Sequence, residues 1–219
     1  MLSNKSFVQI IVLLAATITI LWGCGAKKND PLAPVLVSSQ ANYMEANKEA
    51  VERAGPALQK FGVHQPLSTT DETNIMDSIR LYRGILAYKP SDAAPYLALG
   101  MCYQVLGMDQ RAIDSFNSYL VGSKALKGPG VAQSRTDTYW LLSKTYYSLH
   151  AYGESANQAT KAIKLDPNIA RYYTQRASAL LQEKNYKSAK LDAEHALKLN
   201  PQDEHAQGLL MMLNSNGKP

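Results

Sequence analysis

Side chains able to do chemistry are few and scattered. The histidines are His64, His150, His195 and His205. None stands in a His-Glu-x-x-His or other spacing that would bring two rings to one metal ion. There is no Gly-x-Ser-x-Gly elbow and no phosphate-cradling glycine loop closed by Lys-Ser/Thr. Carboxylates such as Glu154, Asp192 and Glu194 fall at helix positions expected to face water. His195 and His205 lie in neighbouring predicted helices and read as a surface pair. Cys102 falls on a face expected to meet the next helix, where a buried thiol is an inert filler and not a nucleophile. The expectation is a chain with no catalytic residue, no metal site and no cofactor.

Composition is silent about chemistry, and the charge distribution gives no support to a nucleic-acid reader. The 219 residues carry 23 Lys+Arg against 18 Asp+Glu, a formal +5, with 46% apolar and 19% charged residues. The basic residues form no run of five or six, so no stripe exists to follow a phosphate backbone, and no nucleic-acid partner is expected. Two cysteines are too few for a disulfide framework.

Residues 1–23 differ from the rest. Lys5 is their only charged side chain, and 7–22 is apolar except for Gln9, Thr17 and Thr19. A basic start, an apolar run and a small residue before a break describe an export signal. The run ends Leu21-Trp22-Gly23-Cys24, which resembles the lipobox of bacterial lipoproteins. Leu21, Gly23 and Cys24 fall on that pattern and Trp22 departs from it. The resemblance implies cleavage before Cys24, lipid attachment to Cys24 and a membrane lipid anchor. With Gly25 next, it also implies an outer-membrane location facing the periplasm. An uncleaved signal anchor is the other reading, and both place the remainder outside the cytoplasm. Residues 24–40, with Pro31, Pro34 and small polar residues, read as lipid attachment followed by a flexible tether. The sixteen residues 25–40 reach at most ~55 Å when extended.

The body repeats. Ala162-Ile163-Lys164-Leu165-Asp166-Pro167 returns as Ala196-Leu197-Lys198-Leu199-Asn200-Pro201, 34 residues later. A fixed period of this length marks a stack of helical hairpins. The unit 170–203 carries Tyr173, Ala177, Tyr186, Ala189, Ala193, Ala196 and Pro201. The unit 136–169 carries Tyr139, Leu142, Ser143, Tyr146, Tyr152, Ser155, Ala159, Ala162 and Pro167, and 93–126 carries Tyr96, Leu99, Gly100, Tyr103, Gly107, Ala112 and Phe116. These residues resemble the tetratricopeptide repeat. The fold expected from that resemblance is all-α: a right-handed superhelical solenoid of helix-turn-helix units with a C-terminal capping helix. Small residues at the eighth and twentieth positions let two helices approach, and aromatics at the fourth and eleventh fill the gap to the neighbouring unit. Arg176 and Leu180 depart from this, standing where Leu and Tyr are usual.

Around these units, 127–135 is expected to be an insertion loop and 204–219 a capping helix and tail. An irregular hairpin is expected over 41–92. Its first helix is expected over 41–54, broken by Gly55-Pro56, and its second over 71–88 behind a Thr69/Glu72 capping box.

In such arrays the first helices line a concave face, and their second, fifth, ninth and twelfth positions project into it. Here these are Ala94, Leu97, Met101 and Gln104, then Asp137, Trp140, Lys144 and Tyr147, then Arg171, Thr174, Ser178 and Leu181. A groove for a protein or peptide segment is therefore expected at Leu97, Met101, Gln104, Trp140, Lys144, Tyr147, Arg171, Thr174 and Ser178. Trp140 as packing between units, and Lys144 and Arg171 as solubilising charges, are the plainer alternatives. The resemblance implies a protein–protein interaction scaffold of the cell envelope. The alternative is a self-associating structural protein, a homo-oligomer without a groove-bound partner.

Overall fold

The structure is a computed structural model and describes residues 30–215. The expected export signal, Cys24 and the tail beyond 215 lie outside the described residues. Nine α-helices follow in order among them: α1 (Gln40–Gly62), α2 (Thr69–Tyr88), α3 (Ala94–Val105), α4 (Asp109–Gly122), α5 (Pro129–Ser148), α6 (Tyr152–Leu165), α7 (Ala170–Gln182), α8 (Tyr186–Leu199) and α9 (Glu204–Ser215). Helices pair in sequence as α1–α2, α3–α4, α5–α6 and α7–α8, and α9 closes the end against α7 and α8. This is the expected all-α solenoid with its capping helix. No helix among the described residues is long and apolar enough to cross a membrane.

Each hairpin turns on one left-handed residue. Gly107, His150 and Lys184 hold the fifteenth position of the three regular units, with φ of 64°, 59° and 62°. Each donates its N–H three residues back, to Gln104, Tyr147 and Leu181 respectively, at 3.0–3.1 Å. The residue after it reaches the carbonyl five back (Met108 to Tyr103, Ala151 to Tyr146, Asn185 to Leu180) at 2.9–3.0 Å. This double bond satisfies carbonyls that a helix end would leave unpaired. His64, with φ 56°, ends α1 with the same pair of bonds. The irregular hairpin therefore uses the repeat's own turn.

Close helix approach falls where the repeat pattern places it. Ala112, Ala177 and Ala189 are fully buried. A Cβ on Gly100 would lie 2.5 Å from the Phe116 ring. In the middle unit the pair is Ser143 and Ser155, whose hydroxyls each donate to the other's carbonyl at 2.8 Å. The first hairpin has an alanine seam on α1, Ala46, Ala50, Ala54 and Ala57, and Ser78 of α2 donates to the Ala50 carbonyl at 3.0 Å.

Four expectations need correction. First, α1 does not break at Gly55-Pro56 but runs through Pro56 to Gly62. Both residues are exposed, so the carbonyl that proline leaves unbonded lies on the wet side of the helix. Second, the capping box is one residue earlier. Ser68 accepts the Asp71 N–H, and Asp71 accepts the Ser68 N–H at 2.8 Å. Lys60 of α1 adds a 2.7 Å ion pair to Asp71 and, with Ser68, holds its carboxyl down at about 2. Third, most of the 127–135 insertion is helix, because α5 starts at Pro129 and is 20 residues long.

The fourth correction concerns the tether. Residues 30–37 lie across α2 as an extended strap. Leu32 and Val37 are 2% and 7% exposed. The Val35 N–H donates to the Arg80 carbonyl at 3.0 Å. Arg83 pairs with Asp30 at 3.2 Å and donates to the Leu32 carbonyl. Gly84 makes this possible, since a Cβ there would overlap the Val35 carbonyl. The strap, α1 to α4 and Leu142 of α5 share one large apolar core.

Candidate functional site

The first helices of successive hairpins touch one another: α1 on α3, α3 on α5, α5 on α7, and α7 on α9. The second helices make no comparable mutual contact. A stack that is tighter on one layer curves toward that layer, so α3, α5 and α7 form the concave face.

At its centre is Trp140 of α5. Lys144, one helical turn on, sets its Nζ 4.9 Å from the indole ring. Arg171 in the first turn of α7 sets its guanidinium 4.7 Å from the same ring. Both distances suit cation–π attraction. Arg171 is held by an ion pair to Asp137, which also accepts the Tyr172 hydroxyl at 2.6 Å. Lys144 has no carboxylate partner among the described residues. Its Nζ lies 5.8 Å from the Phe61 ring at the end of α1. Burial, and then the nearby Arg171, push its ammonium below the usual lysine range. The patch offers one aromatic face, one neutralised cation and one unneutralised cation.

The other expected groove residues have different occupations. Leu97 and Met101 are partly buried against the large core. Gln104 ties α3 to α5, donating to the Thr145 hydroxyl at 2.9 Å and the Leu141 carbonyl at 3.3 Å. Tyr147 packs edge-on against Tyr152 at 5.3 Å across the α5–α6 turn. Thr174 and Ser178 are each 4% exposed. Thr174 donates to Asp203 at 2.7 Å, and Ser178 lies beside the His205 ring. The start of α9 covers both. Six of the nine residues are thus engaged in packing or bonding within the array, and Trp140, Lys144 and Arg171 are brought together.

Sequence reasoning missed Phe61, because the helix carrying it was expected to stop at residue 54. It also paired His195 with His205. Instead His195 stacks on Tyr173 at 4.3 Å, and His205 faces Ser178 at 3.4 Å. Cys102 is fully buried, and burial raises its thiol to about 12. No group of three or more His, Cys, Asp or Glu able to hold a metal ion occurs among the described residues.

Residues 170–203 match the family model described as tetratricopeptide repeat. The chain is 24% identical over 148 residues to the DnaJ homolog subfamily C member 7 homolog of Dictyostelium discoideum. That match covers 64% of this chain, which spans only 28% of that relative's length. Among solved structures, the chain is similar to YrrB, described as a TPR protein with an unusual peptide-binding site. The TM-score is 0.56 at 18% identity, covering 81% of this chain and 83% of that one. It is also similar to MamA from Desulfovibrio magneticus RS-1, with a TM-score of 0.57 at 14% identity over 76% and 84% of the two chains. Residues 170–203 are therefore a tetratricopeptide repeat, and the described chain has the fold of a tetratricopeptide solenoid.

Proposed function

We propose that this chain is a membrane-anchored scaffold of the cell envelope, lipidated at Cys24, whose concave face holds a segment of a partner protein. The observation that carries the binding role is the Trp140 ring flanked by Lys144 and Arg171 at 4.9 and 4.7 Å. Trp and Arg are the residue types on which binding energy concentrates. An indole buries much area, and a lysine without a carboxylate partner gains most from one supplied by a ligand. The segment therefore lays an apolar side chain on Trp140 and an acidic group on Lys144. The peptide-binding site named for YrrB supports a peptide ligand. The sequence ending in Cys24 supports the anchor, and with Gly25 it favours the outer membrane.

The test is crosslinking in the native envelope, comparing the wild-type chain with Trp140→Ala/Lys144→Glu. Specific proteins captured by the wild type should vanish from the double variant while its helical signal persists. An unchanged captured set overturns the concave site. Separately, Cys24→Ala should release the protein from the membrane fraction. Retention there overturns the lipid anchor. A second reading, self-association, rests on Met211 and Met212 of α9, which are 71% and 57% exposed. It predicts a concentration-dependent mass that Met211→Lys/Met212→Lys reduces to that of one chain.

A further inference from the structure

The convex side holds two equivalent clefts, one smaller and one larger. Each lies between second helices, over the intervening first helix. The smaller lies between α2 and α4, above α3, and is about 420 Å³. The larger lies between α6 and α8, above α7, and is about 610 Å³. Their linings match position by position in the repeat. Arg83, Leu99, Tyr103, Arg111 and Ser115 of the first correspond to Thr160, Arg176, Leu180, Ser188 and Asp192 of the second.

The smaller cleft is narrowed by its own side chains. Tyr103, at the eleventh position, is 6% exposed, with the Arg111 guanidinium 5.8 Å from its ring. Asp30 of the strap lines the same cleft. In the middle unit the eleventh residue is again a tyrosine, Tyr146, packed against the large core. In the last unit it is Leu180, and Ser188 replaces the arginine that would cover a ring. The repeat lacks one aromatic side chain here, and the cleft is larger than its counterpart beside Tyr103.

The floor of the larger cleft is the Arg176 guanidinium, which lies 5.8 Å from the Tyr173 ring of its own helix. Arg176 donates twice to Asp192 at 2.7 Å, and once to the Thr160 hydroxyl at 3.2 Å. The guanidinium is thereby fixed in plane and its charge matched. A quarter of its side chain, 24%, stays open to solvent. A planar guanidinium stacks well on an aromatic face. Leu180 and Leu191 make apolar walls, and Leu191 is 59% exposed. Asn157 and Ser188 supply hydrogen-bonding groups at the rim.

We propose that this convex cleft binds a tyrosine side chain of a partner protein. The ring lies on the Arg176 guanidinium between Leu180 and Leu191, and its hydroxyl meets the Asn157 or Ser188 rim. The guest completes the repeat as Tyr103 does in the first unit. This site is separate from the concave patch at Trp140 and does not depend on it.

The test uses the full chain in detergent, with N-acetyl-tyrosinamide as probe and saturation-transfer NMR as readout. The wild type should bind it at least five-fold more tightly than N-acetyl-leucinamide. Leu180→Tyr, which rebuilds the missing ring internally, should raise the melting temperature and weaken the probe at least ten-fold. Ser188→Arg lies on the half-buried rim, threatens folding less, and should weaken it at least three-fold by restoring the cover seen at Arg111. Equal binding of the leucine probe, or unchanged binding in both variants, overturns the proposal. A sedimentation mass that falls by half in Leu180→Tyr would assign the tyrosine to a second copy of this chain. That would overturn the reading of a separate partner.

Discussion

The two ends of the solenoid share a backbone plan and are held together differently. From the strap to α4, large side chains form one continuous core: Ile75, Ile79, Tyr82, Ile85, Leu99, Phe116 and Tyr119 are all at most 6% exposed. From α6 to α9 the fully buried positions are mostly alanine: Ala159, Ala162, Ala177, Ala179, Ala189, Ala193, Ala196 and Ala206. The apolar clusters there are small. A half-buried ion pair, Arg176–Asp192, occupies the positions held by Leu99 and Ser115 at the other end. The first end gains stability from apolar area removed from water, the second from close backbone approach and matched charges. A solenoid carries this difference easily, because each unit contacts only its neighbours.

Deleting a large side chain should therefore hurt one end far more than the other. Phe116→Ala is expected to cost about 3–5 kcal/mol by chemical denaturation, since a rigid core leaves a cavity. At the other end Asp192→Ala should cost about 2–3 kcal/mol, by leaving a half-buried guanidinium unpaired. The double variant Arg176→Met/Asp192→Leu should recover most of that loss. If it does not, the pair does more than compensate its own burial. Gly84→Ala should cost about 1–3 kcal/mol through overpacking and free the strap. Hydrogen exchange at the Val35 amide checks it, with a loss of protection expected there and none at α8. The smallest effect is a gain. Lys184→Gly removes left-handed strain at an exposed turn and should add roughly 0.5–1 kcal/mol, while Gly107→Ala should lose a similar amount.

The regular units were legible because their signals are local. Tyrosines, small residues and prolines at a 34-residue period fix both helices and the turn between them. The concave face was legible only in part. Repeat positions say which way a side chain starts out, and in the structure Trp140, Lys144 and Arg171 stand beside one another. They do not say what arrives opposite. Thr174 and Ser178 are covered because α9 begins on top of them, and Gln104 finds Thr145 on the next helix. The strap was read as a tether because two prolines in a short polar stretch suggest an open coil. Its signal was split in sequence, with Leu32 and Val37 on one side and Gly84, with no Cβ, some fifty residues away on the other. His64 was similarly hidden. A left-handed turn is read from glycine, and here histidine takes its place.

The strap also sets a length. Under the lipid anchor proposed at Cys24, docking of residues 30–37 leaves five residues, 25–29, between anchor and docked body, at most ~18 Å of chain in place of ~55 Å. On that proposal the volume open to the array would shrink about thirty-fold, and its local concentration toward anything fixed in the same leaflet would rise by the same factor. Gly84, by letting the strap dock, would then set how far the array reaches from its anchor. A methyl group at that position would lengthen the leash.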